Sequence, residues 1–154
     1  MENFNDYFHY QDGKLFWKIN RKSNKVEGKE AGHINAEGYR KVAVNKKYYG
    51  CHRIIFWMFN GYMPKKIDHK NGERNDNRIE NLRPATDSEN QWNRKTNKRF
   101  KGVFKNKKKY VSAIRVNNKL LGLGSYFTEE EAARAYDKAA LEHFGEFARI
   151  NYYT

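Results

Sequence analysis

The chain has 154 residues, of which 38% are hydrophobic and 16% aromatic. That bulk suffices for one ordinary domain or two small ones and excludes a disordered chain. It carries 31 lysine and arginine residues against 18 acids, a formal net charge of +13. Because so large a charge repels itself in the folded state, it indicates a polyanionic partner, and a merely basic surface is the less favoured alternative.

The cysteine content and the hydropathy of the chain exclude several further classes of protein. The single cysteine, Cys51, excludes an internal disulfide and any zinc cluster built from several cysteines. No apolar run has the length of a membrane span, and the first residues lack the pattern of a secretory signal. We therefore expect a cytoplasmic protein that has no membrane partner.

The first sixty residues predict short antiparallel strands followed by a helix. Asp12-Gly13 separates two segments rich in aromatic residues, which is a hairpin signal. Residues 39–44 are also strand-like, and Asn45-Lys46-Lys47 leads from them into Tyr48-Tyr49. Residues 52–60 place large apolar side chains at helical spacing, and Gly61 can end that helix.

A second group of short elements follows the helix. Residues 67–69 predict a short strand. A polar loop follows, and residues 79–83 form the segment that runs back along that strand. Thr86 and Glu89 have the spacing of a capping box, so a second helix begins there and runs to about residue 93 or 95.

The C-terminal third is basic at its start and acidic where its helix begins. From Arg94 to Lys119 there are eleven basic residues and no acid. Three strand-like segments are predicted at 102–104, 110–116 and 120–126. Thr128 and Glu131 form another capping box, opening a helix that Gly145 closes. Alternation along the middle strand places Tyr110, Ser112, Ile114 and Val116 toward the helix and Arg115 on the opposite face.

The stretch from Ile67 to Asn90 is the most informative about chemistry. Asp68 stands beside His69, and the amide of Asn90 follows twenty-two residues after the aspartate. A carboxylate, an imidazole and an amide suit a divalent metal and a base. An isolated Asp-His pair is more often a turn or a surface salt bridge, and Asn81 alone could be a turn or cap residue. Because neighbouring strand side chains face opposite ways, Asp68 and His69 serve one site only if the strand ends or twists there.

In their order and spacing these residues resemble the HNH motif of phage and intron homing endonucleases. The matching segments are Asp68-His69-Lys70-Asn71-Gly72, Asn77, Asn81-Leu82 and Ser88-Glu89-Asn90, with Gly38-Tyr39-Arg40 and His52-Arg53-Ile54-Ile55-Phe56-Trp57 upstream. The resemblance runs from about Asp6 to Asn93. It implies a nuclease domain over 1–95, made of β-hairpins and a ββα-metal core at about 65–95.

The same resemblance implies a role for each matched residue. His69 would be the general base that activates water, and Asn81 would hold the hairpin so that His69 points correctly. Asp68 and Asn90 would bind one divalent metal, and their oxygen ligands favour Mg²⁺ or Mn²⁺ over zinc. The implied partner is double-stranded DNA, with no small-molecule cofactor beyond the metal. The role of His52 stays open between helix start, core residue and DNA-backbone contact, and a structural role is favoured.

The C-terminal third resembles the AP2/ERF DNA-binding domain of plant ethylene-response factors. The segments that carry this resemblance are Lys101-Gly102-Val103, Leu123-Gly124-Ser125-Tyr126 and the helical run from Glu130 to Ala140. It implies a linker over 96–100 and a domain over 101–154, in which a three-stranded antiparallel sheet packs on one helix and binds the DNA major groove. The whole chain is then an α+β protein.

The residues expected to contact DNA are Lys101, Lys105, Lys107, Lys108, Lys109 and Arg115. The lysines favour phosphate over bases. Phe104 and Asn106 stand where the plant family often has arginines, and Ala113 stands where it often has glutamate. The recognition sequence of the plant proteins is therefore not carried over.

Three functions remain open on the sequence. The favoured one is a two-domain endonuclease of homing type that acts as a monomer in a phage-infected or bacterial cell. The alternative is a DNA-binding regulator whose nuclease half is inactive. A weaker third is an RNA-binding protein, against which the HNH residues and the lack of an RNP-type aromatic motif both argue.

Overall fold

The structure is a computed structural model of the chain, and it describes residues 2–19 and 25–152. The chain divides into two compact units, Met1–Thr86 and Asp87–Thr154. Both units combine short strands with helices, so the α+β class expected from the sequence is confirmed. Within the described ranges, no helix combines the length and the apolar character that crossing a membrane requires.

In its described residues, the first unit contains three small antiparallel sheets and one α-helix. Strands β1 and β2 form a hairpin, β3, β4 and β5 form a three-stranded sheet in that order, and β6 pairs with β7. Their bounds are β1 Phe8–Gln11, β2 Lys14–Trp17, β3 His33–Ile34, β4 Arg40–Val44, β5 Lys47–Gly50, β6 Lys66–His69 and β7 Leu82–Ala85, with helix α1 at Cys51–Asn60 and 3-10 turns at Phe4–Asp6 and Ile79–Asn81.

Local chemistry accounts for the turns and ends of these elements. Asp12 and Gly13 both have positive φ, 45° and 78°, which is the conformation that a tight two-residue hairpin needs. Helix α1 ends at Gly61, whose φ of 73° is left-handed. Cys51 is fully buried at the helix start, and burial raises the pKa of its thiol to about 12. The predicted hairpin and the helix ending are therefore confirmed.

One hydrophobic core holds the first unit together. The side chains of Phe4, Phe8 and Leu15 are almost completely buried, and Ile54 and Ile55 of α1 pack into the same cluster. The apolar face of α1 thus covers the β1–β2 hairpin, and burial of each such side chain contributes about 1.5–3 kcal/mol. Leu82, the first residue of β7, belongs to this core and so connects the β6–β7 hairpin to it.

The second unit is a three-stranded antiparallel sheet with two helices. The strand order is β10–β9–β8. Its bounds are α2 Asp87–Trp92, β8 Val103–Asn106, β9 Lys109–Val116, β10 Lys119–Tyr126 and α3 Glu129–Phe144, followed by a 3-10 turn at Gly145–Phe147. The boundary between the units falls inside the range predicted for the nuclease domain, so α2 groups with the C-terminal elements.

Helix α3 begins and packs as the sequence indicates. The hydroxyl of Thr128 accepts a bond from the Glu131 amide at 3.2 Å, and the Glu131 carboxylate accepts one from the Thr128 amide at 3.1 Å. Ile114 of β9 is 2% exposed against Tyr136 of the helix, whereas Arg115 is exposed. The predicted faces of the middle strand are therefore confirmed. The ring of Tyr136 packs directly against the backbone at Gly102. A residue with a side chain would not fit there, because its Cβ would lie 1.9 Å from Cδ2 of Tyr136.

A buried carboxylate joins α3 to the C-terminal segment. Asp137 is 8% exposed. Its carboxylate accepts hydrogen bonds from the backbone amide of Asn151 at 2.7 Å, from the side-chain amide of Asn151 at 2.9 Å and from the backbone amide of Tyr152 at 2.9 Å. The side chain of Asn151 in turn bonds both main-chain groups of Lys101. The end of the chain is thereby fixed to the helix and to the start of the sheet.

We expect Asp137→Ala to destabilise the protein by about 2–4 kcal/mol, since three donors lose one charged acceptor. Lys138→Ala, on the exposed side of the same helix, is the matched control and should change stability by less than about 0.5 kcal/mol. Urea unfolding followed by circular dichroism measures both. Equal unfolding midpoints for the two variants would contradict the role of Asp137.

Candidate functional site

Asp68 and His69 lie at the end of β6, and both are buried, at 4% and 5% exposure. The strand ends at His69, and the following amide, that of Lys70, bonds the carbonyl of Asn81 at 2.9 Å. Neighbouring side chains within a strand point to opposite faces, so Asp68 and His69 can serve one site only where the strand ends. The structure places both residues at such an end.

An ion pair across the hairpin holds Asp68. Its residue opposite in the β6–β7 register is Arg83, which is 7% exposed. Nε and Nη2 of Arg83 lie 2.9 Å and 2.8 Å from Oδ2 of Asp68. A carboxylate this deeply buried requires such a partner, and the arginine offsets its charge. Sequence reasoning missed Arg83, because only the strand register brings it to Asp68.

A buried amide determines the tautomer of His69. Oδ1 of Asn77 lies 3.0 Å from Nε2 of His69, and Asn77 is 1% exposed. An amide oxygen only accepts hydrogen bonds, so Nε2 carries the hydrogen and Nδ1 carries the lone pair of the neutral ring. Asn77 belongs to the motif quoted above, but the sequence assigned it no role.

The surroundings of His69 favour its neutral form. Burial lowers the pKa of the imidazole below its usual value, and the guanidinium of Arg74 acts in the same direction. The bond to Asn77 and the carboxylates of Asp68 and Asp76 oppose this shift without reversing it. A neutral imidazole is the form that can accept a proton from water.

Asn81 closes the loop that follows β6. Its Oδ1 accepts a bond from the amide of Asn71 at 3.0 Å. Its Nδ2 donates to Oδ1 of Asn71 at 3.0 Å and to the carbonyl of Asp76 at 2.8 Å. The side chain is 7% exposed, so these bonds form largely out of water. Asn81 therefore fixes both ends of the loop segment that lies between His69 and Asn77.

Three rings meet beside the hairpin. His52, the second residue of α1, has its ring centre 5.3 Å from that of His69 and 5.4 Å from that of Tyr39. Tyr39 and His69 are 6.0 Å apart. Gly50 leaves room for this arrangement, because a Cβ there would lie 2.6 Å from Cε1 of His52. Nothing in the sequence indicated that His52 packs against His69.

His52 is held neutral inside this ring cluster. Burial, followed by the effects of His69, Arg53 and Lys41, lowers the pKa of His52 to about 3. Its Nδ1 is buried and has no hydrogen-bond partner among residues 2–19 and 25–152. The ring therefore acts mainly through packing.

The two predicted metal ligands belong to different compact units. Asp68 lies in the first unit and Asn90, exposed on α2, in the second, so their assignment to one metal stays a prediction. The part of the chain that the structure describes contains no group of three or more histidine, cysteine, aspartate and glutamate side chains suited to a metal. One carboxylate and one amide oxygen do fit Mg²⁺ or Mn²⁺, which retain several water ligands.

The predicted DNA-contacting residues occupy different settings. Lys101 directs its ammonium group to the carbonyls of Trp92 and Arg94, and burial lowers its pKa to about 8. Lys109 lies over the ring of Phe127, 4.7 Å from its centre. The remaining predicted side chains are all exposed: Lys105, Lys107, Lys108 and Arg115. The structure thus keeps the lysines of the β8–β9 turn accessible and directs Lys101 to main-chain carbonyls.

Helix α2 is packed within the second unit. The ring of Trp92 stacks on that of Phe144 with centres 4.4 Å apart. Together with the bonds from Lys101, this contact fixes the end of the short helix that carries Asn90.

Comparison with known proteins relates the chain to nucleases and to one plant regulator. The model of a family described as HNH endonuclease matches residues 49–92, a range that includes Asp68, His69, Asn81 and Asn90. The chain is 36% identical over 130 residues to the uncharacterized HNH endonuclease L560 of Acanthamoeba polyphaga mimivirus, covering 82% of this chain and 69% of that protein. It is also 47% identical over 62 residues to the ethylene-responsive transcription factor ERF010 of Arabidopsis thaliana, covering 38% and 34% respectively.

The lowered pKa of His52 predicts acid-dependent stability. Above about pH 6.5 the ring is neutral in both folded and unfolded chains. Below that pH the unfolded chain takes up a proton that the folded protein binds only near pH 3, so stability falls as the pH decreases between these values.

We expect the loss attributable to His52 to be at most about 1.4 kcal/mol per pH unit, and His52→Phe should remove it. Urea unfolding at about pH 7 and about pH 5 measures the difference, and His33→Phe, at an exposed histidine, is the control. An identical pH dependence of wild type and His52→Phe would show that the ring is not buried as described.

Proposed function

Because this chain belongs to the HNH endonuclease family, we propose that it is a metal-dependent enzyme that hydrolyses phosphodiester bonds in double-stranded DNA, with His69 as general base. The observation that carries this proposal is the bond between Nε2 of His69 and Oδ1 of Asn77 at 3.0 Å. It gives the imidazole the tautomer whose Nδ1 can accept a proton. A base needs both a defined orientation and the correct protonation state. The contact with Asn77 orients the ring and selects its tautomer, while burial favours the neutral form.

The proposed reaction is an in-line hydrolysis. Nδ1 of His69 takes a proton from water while the water oxygen forms a bond to phosphorus. The bond between phosphorus and the 3′ oxygen breaks, and that oxygen takes up a proton from solvent. The products are a 5′-phosphate and a 3′-hydroxyl. The low pKa of His69 keeps the ring neutral and ready for this step at neutral pH.

Asp68 and Asn90 are proposed to hold the divalent metal through a carboxylate oxygen and an amide oxygen. When bound, the metal supplies positive charge at the phosphate and the departing oxygen. Arg83 orients the Asp68 carboxylate through contacts of 2.8 Å and 2.9 Å. Asn81 positions rather than reacts, since its three bonds hold the loop between His69 and Asn77.

The second unit is proposed to hold DNA in the manner of an AP2-like domain. Lys105, Lys107, Lys108, Lys109 and Arg115 would contact the phosphates or the groove, and their charges are uncompensated by any acid between Arg94 and Lys119 in the sequence. Lys101 would contribute to DNA binding indirectly, because its bonds to the carbonyls of Trp92 and Arg94 hold the end of α2. With a binding unit and a cutting unit in one chain, the proposed activity is site-directed cleavage of homing type by a monomer.

We expect His69→Ala to abolish nicking of plasmid or target DNA and to leave binding nearly intact, because a base acts only in the transition state. Asn90→Ala should also stop cutting, and higher Mn²⁺ should restore part of it, which it cannot do for His69→Ala. Asp68→Ala should stop cutting and should also lower stability, because Arg83 then stays buried without its partner. Asn81→Ala should be milder in catalysis and should lower stability. Nicking and gel-shift measurements on each purified variant test this.

His33→Ala, at an exposed histidine of β3, is the matched control and should cut at the wild-type rate. EDTA should abolish wild-type cutting. Robust nicking by His69→Ala, or wild-type activity that persists in EDTA, contradicts the mechanism. Tight DNA binding with no cutting in Mg²⁺ or Mn²⁺ would instead favour the regulator with an inactive nuclease half.

We expect the lysines of the β8–β9 turn to carry a large share of the salt-dependent affinity. Replacing Lys107 and Lys108 together by glutamine should reduce the slope of log affinity against log salt by about 2, since two phosphate contacts are lost. Lys138→Gln, on the exposed side of α3, is the control and should leave the slope unchanged. Fluorescence anisotropy over a salt series measures it, and an unchanged slope in the double variant would contradict the assignment.

A further inference from the structure

The charges around the β6–β7 hairpin are unequally compensated. Arg83 is paired with Asp68 at 2.8 Å, and Arg78 is paired with Asp76 at 2.7 Å. Arg74, in the same loop as Asp76, is exposed and has no carboxylate partner within the described part of the chain. Its positive charge is therefore available to an anion from solution.

Arg74 is nevertheless held in a defined place. Its Nη1 donates to the carbonyl of Glu37 at 2.7 Å, and its guanidinium carbon lies 5.2 Å from the centre of the Tyr39 ring. That ring is 6.0 Å from the ring of His69.

The contacts of Arg74 leave most of its donors unused. A guanidinium has five N–H donors in a planar fork, and the carbonyl of Glu37 engages one nitrogen. The contact with the ring of Tyr39 is made by charge rather than by a hydrogen bond, so it uses none of the remaining donors. The fork matches two oxygens of one phosphate, so a single arginine can bind it with two parallel bonds.

We propose that Arg74 is a further catalytic residue, whose guanidinium contacts the non-bridging oxygens of the phosphate that is cut. This inference rests on the proposed function of His69. As water attacks phosphorus, negative charge grows on those oxygens, and a fixed cation stabilises the transition state more than the bound substrate. Arg83 is buried and already paired with Asp68, so it does not supply that charge.

A purely structural role makes a different prediction. If Arg74 only tied its loop to Glu37, its loss would lower stability and would weaken cutting through misfolding. If it acts on the phosphate, stability and DNA affinity stay close to wild type while the rate of the bond-breaking step falls. Single-turnover nicking with saturating protein separates that rate from binding.

The experiment compares Arg74→Ala with Arg78→Ala, which removes another exposed arginine four residues further along the chain. We expect Arg74→Ala to lower the single-turnover rate by roughly 100- to 1,000-fold, and Kd measured in EDTA to change by less than about threefold. Arg78→Ala should stay within about fivefold of wild type. Arg74→Lys should recover part of the rate, and added guanidinium ion should partly rescue Arg74→Ala but not His69→Ala.

Wild-type cutting by Arg74→Ala, while His69→Ala is inactive, would overturn this inference and leave the proposed function standing. Equal losses in rate and in affinity would also overturn it, because they indicate a contact made as well to the ground state. Full cutting by His69→Ala would instead overturn the proposed function. Thermal unfolding checks that each variant is folded, and if Arg74→Ala is not, Arg74→Lys and Arg74→Gln carry the same comparison.

Discussion

The register of β6 against β7 determines the geometry around His69. It places Asp68 opposite Arg83, so that a carboxylate with 4% exposure meets a guanidinium with 7% exposure. Loss of either partner would leave a buried charge uncompensated, which costs about 3–5 kcal/mol. A slip of one residue would also turn every side chain of the strand to the other face. The ion pair and the pairing of the strands therefore stabilise one another, and His69 has a fixed position at the strand end.

Two neutral side-chain amides also hold His69 and the loop that follows it in place. Asn77 and Asn81 are both buried, and their side chains join His69 and the loop after it into one hydrogen-bonded network. An amide can donate and accept without carrying charge, so it orients the imidazole without the strong rise in pKa that another carboxylate would cause. The hairpin thus combines one compensated ion pair with uncharged groups, and the neutral form of His69 persists inside it.

What the sequence predicted well was set by local chemistry. The turn at Asp12 and Gly13, the end of α1 at Gly61 and the capping box at Thr128 each depend on residues a few positions apart, and the structure contains all three. Arg83 and the packing of His52 on His69 were missed, because they connect residues brought together by strand register and tertiary contacts. Counting basic residues likewise could not show that some ammonium groups turn inward to main-chain carbonyls.

Under the proposed function, the distribution of charge separates the residues that hold DNA from those that cut it. The excess of +13 attracts the whole polyanion, and exposed lysines of the second unit would bind phosphates equally in the ground state and the transition state. Around His69, by contrast, the acids at Asp68 and Asp76 are each matched by an arginine. These two ion pairs add no net charge beside His69, whereas Arg74 in the same loop adds a positive charge. Under the proposed function, the charge that stabilises the transition state there would come from the bound metal and from Arg74.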